Sequence, residues 1–383
     1  MIHKIENKNN IKLKSKFNFF VQCLPKLEPI VAKEIQNLGL KCFISNEGGV
    51  YVRGNILDLY RLNLWLRCAN RILIRIKSFY INNFKKIIKK LISYPWEIYL
   101  NKTNTIIIKT TCKKTKVYHG KTIAQQIIFA IEKRLGYKIY LLKPSEKLDN
   151  TQIIYVRIID NNCTISIDSS GAHLHERWYH TQKVKAPIRE TIAAAIVYLS
   201  NWDYKEILWD PFCGSGTILI EAALIALNIA PGLNRKFAFM DWKNFDEELF
   251  YAIERQKQPF NRQPKIIGSD ISEKAINCAI SNAQNAKVNN IITFKQQNFF
   301  KTIPVYSSGF IITNPPYGKR LNIDSAFYKR LRKHIEKNFL DWNISILCPP
   351  KIKSIFSTLS FKEMITLYNG GIPISLLNKK SNP

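Results

Sequence analysis

From about residue 186 onward the chain alternates short apolar, β-branched runs with helical stretches, and this rhythm restricts the fold more than any other feature of the sequence. The strand-like runs are Ile207 to Trp209, Lys265 to Ser269, Ile291 to Phe294, Phe310 to Thr313 and Ile344 to Leu347. Strands separated by helical segments imply an α/β fold with a doubly wound, mostly parallel sheet, and ligands of such sheets sit outside the carboxyl ends of the strands. Met364 to Tyr368, the turn Asn369-Gly370-Gly371 and Ile372 to Leu376 read as a C-terminal antiparallel hairpin, which is expected to put an antiparallel strand at the sheet edge.

The first half has another pattern. A short apolar run, FNFFVQCL from Phe17, precedes a helix-like stretch from Leu27 to Leu38 stopped by Gly39, with strand-like pieces around Lys41 to Ile44 and Val50 to Val52. An amphipathic stretch from Leu57 to Ala69 follows. Beyond it, Ile72 to Ile76, Thr105 to Thr111, Ile153 to Ile159 and Cys163 to Asp168 are β-rich, with helical patterns at Phe84 to Ser93 and Thr122 to Leu135 between them. This is α+β in character. The expected division is into regions 1–60, 61–168 and 169–383.

With 383 residues, 46% of them hydrophobic, the chain has material for two or three packed cores, which excludes a disordered tail or a disulfide miniprotein. No segment reaches the roughly 18 uninterrupted apolar residues of a membrane span. The longest candidate, Ile218 to Ala230, is interrupted by Glu221 and Asn228, and the opening MIHKIENKNN lacks the apolar core of a secretion signal. The eight cysteines form no C-x-x-C pair, which suits a reducing compartment and signals neither zinc nor a disulfide frame, so a cytoplasmic location is expected. The sequence carries no signal of oligomeric state.

Charge points to a polyanionic partner, with nucleic acid ahead of a membrane surface: 58 Lys and Arg face 28 Asp and Glu, a net +30. Heavy use of Lys, Ile and Asn along the whole chain weakens that inference. Distribution adds to it, because residues 1–168 hold 30 basic against 11 acidic side chains while residues 169–383 hold 28 against 17. Lys113, Lys114, Lys116 and Lys121 beside Tyr118 and His119 read either as a phosphate-gripping surface with aromatics for stacking or as a solvated lysine face.

The sharpest motif is Asp210-Pro211-Phe212-Cys213-Gly214-Ser215-Gly216-Thr217, between the strand-like ILW and the helix-like ILIEAALIAL. Glycines there let the backbone approach a ligand while a helix N-terminus presents free N–H groups; a Gly pair alone would indicate only a tight turn. The strand IIGS delivers Asp270, a carboxylate suited to two ribose hydroxyls and equally to capping the helix near Ser272. Asn298 ends ITFKQQN, where its amide suits an adenine edge or a turn. FIIT runs into Asn314-Pro315-Pro316-Tyr317-Gly318. The prolines stiffen the corner, so that the Asn314 side-chain oxygen and a neighbouring carbonyl can converge on one amine, with the Tyr317 ring available for stacking. As a bare turn sequence the same five residues would also serve.

Taken together, DPFCGSGT, the strand-end Asp270 and TNPPYG resemble the class I S-adenosylmethionine-dependent methyltransferases acting on amino nitrogens. Ser170-Gly171-x-x-Leu174-His175-x-Arg177-x-Tyr179 with Ala186-Pro187-Ile188-Arg189-Glu190-Thr191 resembles the segment joining a THUMP RNA-binding domain to its methyltransferase. Ala230-Pro231-Gly232-Leu233, Phe239 and Trp242 are similar to an insertion of the same family, whose nearest branch is the bacterial guanine-N2 methyltransferases of large-subunit (23S) ribosomal RNA. The resemblance spans about Phe17 to the end and is strongest from Asp168 to Leu321. It implies that 1–60 is a ferredoxin-like region, 61–168 a THUMP domain and 169–383 a class I methyltransferase. It implies S-adenosyl-L-methionine as cofactor, RNA as partner, no metal and no membrane, and one methylation where bifunctional relatives have two catalytic halves. Carried onto this chain, it makes Asp210, Phe212, Gly214, Gly216, Thr217, Asp270 and Asn298 cofactor-binding, and Asn314, Pro315, Pro316 and Tyr317 catalytic. The family's usual acidic residue after the third strand is Asn298 here, which implies weakened cofactor binding.

Arg177, Arg189 and Glu190 read equally as contacts to RNA phosphate or the cofactor carboxylate and as ion pairs fixing a helix. His173, His175 and His180 with Glu176 are poorly spaced for zinc. Other targets stay open on the residues alone: another RNA such as tRNA, DNA adenine, a protein glutamine, or a catalytically silent role in ribosome assembly.

Overall fold

The computed structural model describes residues 15–381 apart from 46–47, 81–83, 116–119, 147, 149, 181–187, 257–259, 261 and 318–324. In chain order the first half holds β1 (Phe17–Cys23), α1 (Glu28–Asn37), β2 (Cys42–Ser45), β3 (Gly49–Gly54), α2 (Ile56–Trp65), β4 (Ala69–Tyr80) and α3 (Phe84–Ile92). It continues with β5 (Thr105–Lys113), α4 (Gly120–Leu135), β6 (Tyr140–Leu141), β7 (Thr151–Ile159) and β8 (Asn162–Asp168). The second half holds α5 (Glu190–Leu199), β9 (Leu208–Asp210), α6 (Thr217–Ala226), α7 (Glu247–Gln256), β10 (Ile266–Asp270), α8 (Glu273–Asn285) and β11 (Ile292–Gln296). It ends with β12 (Gly309–Thr313), α9 (Ser325–Asn338), β13 (Trp342–Cys348), a 3₁₀ run (Pro350–Leu359), β14 (Lys362–Asn369) and β15 (Ile372–Lys379).

Two compact units result. The first takes in the chain up to Cys23, Ala32–Leu174 and Asn234–Gln256; the second takes in Leu24–Val31, His175–Leu233 and the chain from Lys257 on. The first unit carries an eight-stranded sheet in the order β2-β3-β1-β4-β8-β7-β5-β6. It is mixed: β1 to β4, β7 and β8 pair antiparallel, whereas β5 runs parallel to both β7 and β6. The helix α4 between β5 and β7 provides the crossover that a parallel pair requires. Period-two alternation buries Phe19, Val21, Val50, Val52, Ile72 and Ile74 on one face. A capping box starts α2, with Asn55 Oδ1 accepting from Asp58 N (3.2 Å) and Asp58 Oδ2 accepting from Asn55 N (2.8 Å).

The segment Asn234–Gln256 lies far along the chain from the sheet it joins. Tyr60 of α2 stacks on Phe239 at 4.9 Å and its hydroxyl accepts from Asp246 N at 3.0 Å. Trp242 Nε1 donates to Gln152 Oε1 of β7 at 2.9 Å. The sequence singled out Phe239 and Trp242 without indicating where they pack.

The second unit carries a seven-stranded sheet in the order β11-β10-β9-β12-β13-β15-β14, parallel through the first five strands. Its core includes Trp209, Phe299, Tyr328, Phe339, Trp342 and Phe356, all buried. The hairpin forms as expected and puts an antiparallel strand, β14, at the sheet edge, with β15 inside between β13 and β14. Burial explains the order, since Ile374 to Leu377 are buried in β15 while the first three residues of β14 are exposed.

Candidate active site

Strand order reverses between β9 and β12, and both strands deliver their loops at the same, carboxyl, end of the sheet. After β9 the chain turns onto α6 through Gly214 (φ 53°) and Gly216 (φ 79°), a backbone conformation that side chains disfavour. A Cβ added at Gly216 would lie 3.1 Å from Ala279 Cβ and 3.4 Å from Phe294 Cζ, so the close approach of α8 and β11 adds a second reason for glycine. The loop is tied down by its own backbone and its neighbours. Gly216 N donates to Cys213 O (2.8 Å), Cys213 N to Ser269 O (2.9 Å), and Asn282 Nδ2 to Ser215 O (3.2 Å). Thr217 opens α6, buried, with its hydroxyl 3.3 Å from that of Ser215.

Asp210 is buried at the end of β9, and its Oδ1 accepts from Thr313 Oγ1 of β12 (2.6 Å) and Phe212 N (3.1 Å). Burial pushes its carboxyl up to about 7; the hydrogen bonds from Thr313 and Phe212 oppose the rise and the charge of Asp270 adds to it. Asp270, half-buried, brings the second loop to the first: its Oδ2 accepts from Gly214 N (3.1 Å) and its Oδ1 from Ser272 N (2.9 Å). The capping expectation for Asp270 is corrected, because Ser272 caps α8 by accepting from Ala275 N at 3.3 Å.

Phe212 packs against Phe299 and Phe327 at 5.5 and 5.8 Å between ring centroids, which brings the glycine loop beside the turn after β11. Asn298 heads that turn, its Oδ1 accepting from Phe300 N at 3.0 Å. An amide oxygen has two lone pairs, so one acceptor position stays available to a ligand.

Beyond Thr313 comes the Asn-Pro-Pro-Tyr corner, held from two later elements. Tyr328 of α9 donates its hydroxyl to Pro316 O (3.1 Å), and Asn369 at the end of β14 donates Nδ2 to the Tyr317 hydroxyl (3.1 Å), which also takes a hydrogen bond from the Asn314 side chain. Burial raises the Tyr317 phenol above its ordinary range while these hydrogen bonds pull it back. Pro315 is buried. The side-chain oxygen of Asn314 is buried and accepts no hydrogen bond from the described residues. An acceptor removed from water without a partner is costly. Gly318 lies outside the described residues.

The remaining candidates separate. Arg177 Nε donates to Glu221 Oε1 (3.2 Å), as does the Tyr179 hydroxyl (3.0 Å), with both ionic side chains buried. Arg177 is therefore the ion pair of the two readings given for it, sealed from solvent. His180 Nδ1 lies 2.7 Å from Glu190 Oε1, whereas His173 sits in the first unit beside Arg71 at 3.3 Å. Among the described residues no group of three His, Cys, Asp or Glu could hold a metal, and no helix is long and apolar enough to cross a membrane. Lys113, Lys114 and Lys121 are exposed; Lys116, Tyr118 and His119 lie outside the described residues. The parts played by Tyr328, Asn369 and Thr313 were not read from the sequence: Tyr328 lies in a helix without a motif, Asn369 was read only as a hairpin-turn residue and Thr313 only as the start of TNPPYG.

A sheet ordered third, second, first, fourth, fifth, seventh, sixth, with a glycine turn after the first strand and an acid after the second, defines a class I methyltransferase domain. More particularly, the chain belongs to the RMKL-like methyltransferase family: residues 177–377 match that methyltransferase domain, residues 18–73 the RlmL ferredoxin-like domain and residues 82–168 the THUMP domain. It is 32% identical over 370 residues to a candidate RNA methyltransferase of Synechocystis sp., covering 94% of this chain and 95% of that one. It is 32% identical to the ribosomal RNA large subunit methyltransferase K/L of Psychromonas ingrahamii, covering 96% of this chain; it spans about half the length of that relative. The crystal structure of SMU.472, a candidate methyltransferase complexed with SAH, superposes with a TM-score of 0.85 at 30% identity, covering 97% of this chain and 99% of that one. S-adenosyl-L-methionine is the methyl donor of this chain's catalytic domain.

Proposed function

We propose that the protein methylates the exocyclic N2 of a guanine in large-subunit ribosomal RNA. The observation that carries this reading is the buried side-chain oxygen of Asn314 at the end of β12, which accepts no hydrogen bond from the described residues and is suited to an N–H of an aromatic amine. RNA as the target is supported by the THUMP match, and the large subunit by the names of the K/L relatives. The same reading divides the chain into a ferredoxin-like region (1–60), a THUMP domain (61–168) and a catalytic domain (169–383), acting in the reducing interior of the cell.

S-adenosylmethionine supplies a sulfonium methyl, electrophilic enough that neither a metal nor a covalent enzyme intermediate is needed for transfer to nitrogen. The residues present fit that donor: Gly214 and Gly216 take the left-handed backbone of a tight turn that leaves its N–H groups bare of side chains, and α6 begins there with N–H groups for a carboxylate. Asp210, Phe212, Gly214, Gly216 and Thr217 form the methionine side, Asp270 meets the ribose, and Asn298 meets the adenine. At the corner, Asn314 holds the target amine by a hydrogen, Pro315 and Pro316 keep that oxygen in place, and Tyr317 offers its ring to the base. Tyr328 and Asn369 hold the corner itself. Rate enhancement then comes mainly from orientation.

The test is to map N2-methylguanosine in large-subunit RNA from cells with and without the gene. Loss of a guanine mark, restored by the wild-type gene and not by Asn314→Ala, is expected; an unchanged pattern refutes the assignment.

A further inference from the structure

The sheet of the first unit carries an aromatic and cationic surface that the methyl-transfer chemistry does not use. Phe43 on edge strand β2 pairs in register with Tyr51 on β3, which pairs with Phe20 on β1. Alternation therefore places all three on one face, together with Arg53, two residues along from Tyr51. Their contacts agree. The Phe43 and Tyr51 rings stack at 5.2 Å with 24° between planes, and Phe20 meets Tyr51 edge-on at 5.1 Å. Arg75 of β4 lies 4.1 Å from the Phe20 ring centroid and 5.5 Å from that of Tyr51, and donates to the Tyr51 hydroxyl at 3.3 Å and to Ser166 Oγ at 3.1 Å. Phe43 is 65% exposed, so its ring is stacked on one side and open on the other.

Charge decides what such a ring is for. The eight strands carry seven Lys or Arg and a single acid, Asp168, which is buried and paired with Arg71. An edge strand showing a bare aromatic is a liability unless something covers it. Flat rings flanked by cations, with no acid in the four strands β1 to β4 that carry them, suit the face of a nucleobase whose backbone is negative, and a base is free to stack only where the strand is unpaired.

We propose that Phe43 and Tyr51 form a stacking platform for an unpaired base of the RNA substrate, with Arg53 and Arg75 as its cationic flank. The platform is a docking subsite, separate in the chain from the residues assigned to methyl transfer, and it rests on the reading of RNA as substrate.

Fluorescence anisotropy of the full chain with labelled oligouridylate, oligoadenylate and an RNA duplex tests it. Phe43→Ala is expected to weaken single-strand binding about tenfold, as loss of one stacked base does, leaving duplex binding and the salt dependence unchanged. Phe43→Trp restores the affinity, and Arg53→Gln lowers the salt slope by about one. S-adenosylmethionine uptake by Phe43→Ala, followed by calorimetry, stays at the wild-type value. Wild-type affinity in Phe43→Ala overturns the platform and leaves the RNA reading standing. A wild-type chain that binds S-adenosylmethionine but no RNA overturns both. A change in sedimentation of Phe43→Ala with unchanged RNA affinity makes this face a contact between copies of the chain, which also overturns the platform.

Discussion

Replacing Glu221 by alanine isolates the buried triad of the catalytic domain. Glu221 is fully buried within α6, and Arg177 and Tyr179 both donate to its Oε1. Removing one partner of such a pair costs about 3–5 kcal/mol, because the guanidinium loses the carboxylate facing it where water does not reach. At roughly 2–4 °C per kcal/mol for a domain of this size, Tm should fall by about 6–20 °C. Arg177→Met should do comparable damage. The triple variant Arg177→Met, Tyr179→Phe, Glu221→Leu replaces every member by an apolar group and should recover to within about 1–2 kcal/mol of wild type. Thermal melts followed by circular dichroism, with calorimetric S-adenosylmethionine titration of each variant, read both stability and function. A fall of less than about 3 °C in Glu221→Ala, or a triple variant that is stable yet no longer takes up the cofactor, would refute the structural assignment and return Arg177 to the role of a ligand contact.

Three further outcomes are expected. Asn314→Ala should keep RNA and S-adenosylmethionine affinities and lose about a hundredfold in transfer rate by single-turnover assay; equal loss of binding contradicts its role. Asp210, raised to about 7 by burial, keeps in the native state a proton that the unfolded chain has released above about pH 4, so it makes the fold less stable as pH rises toward 7. A donor with net positive charge favours the ionised form, so cofactor affinity should climb through that same pH in calorimetry and lose the dependence in Asp210→Asn; a flat wild-type profile defeats this account. Asn298→Asp should tighten S-adenosylmethionine binding, and an unchanged dissociation constant removes the significance given to the amide.

Much of the catalytic sheet could be read in advance because apolar residues dominate its central strands, and Asp210, Asp270 and Asn314 each stand at or just past the end of one. What escaped depends on partners distant in sequence. Whether Arg177 met a ligand or an ion pair turned on Glu221, 44 residues later, although one acid inside the apolar run ILIEAALIAL already signalled a buried pair. The packing of Asn234–Gln256 depends on Tyr60, 186 residues earlier. A hairpin signal cannot tell which arm lies inside the sheet. Apolar content does not tell either, since MITLY in β14 and ISLL in β15 are each broken by one hydroxyl residue.

The hydrogen bond between Asp210 and Thr313 joins the two central strands just where their loops begin. The separation of the two loop bases is thereby inherited from the pairing of β9 with β12. Variation at the loop tips can then retune which molecule is welcomed without altering the distance across which the two halves of the site must cooperate.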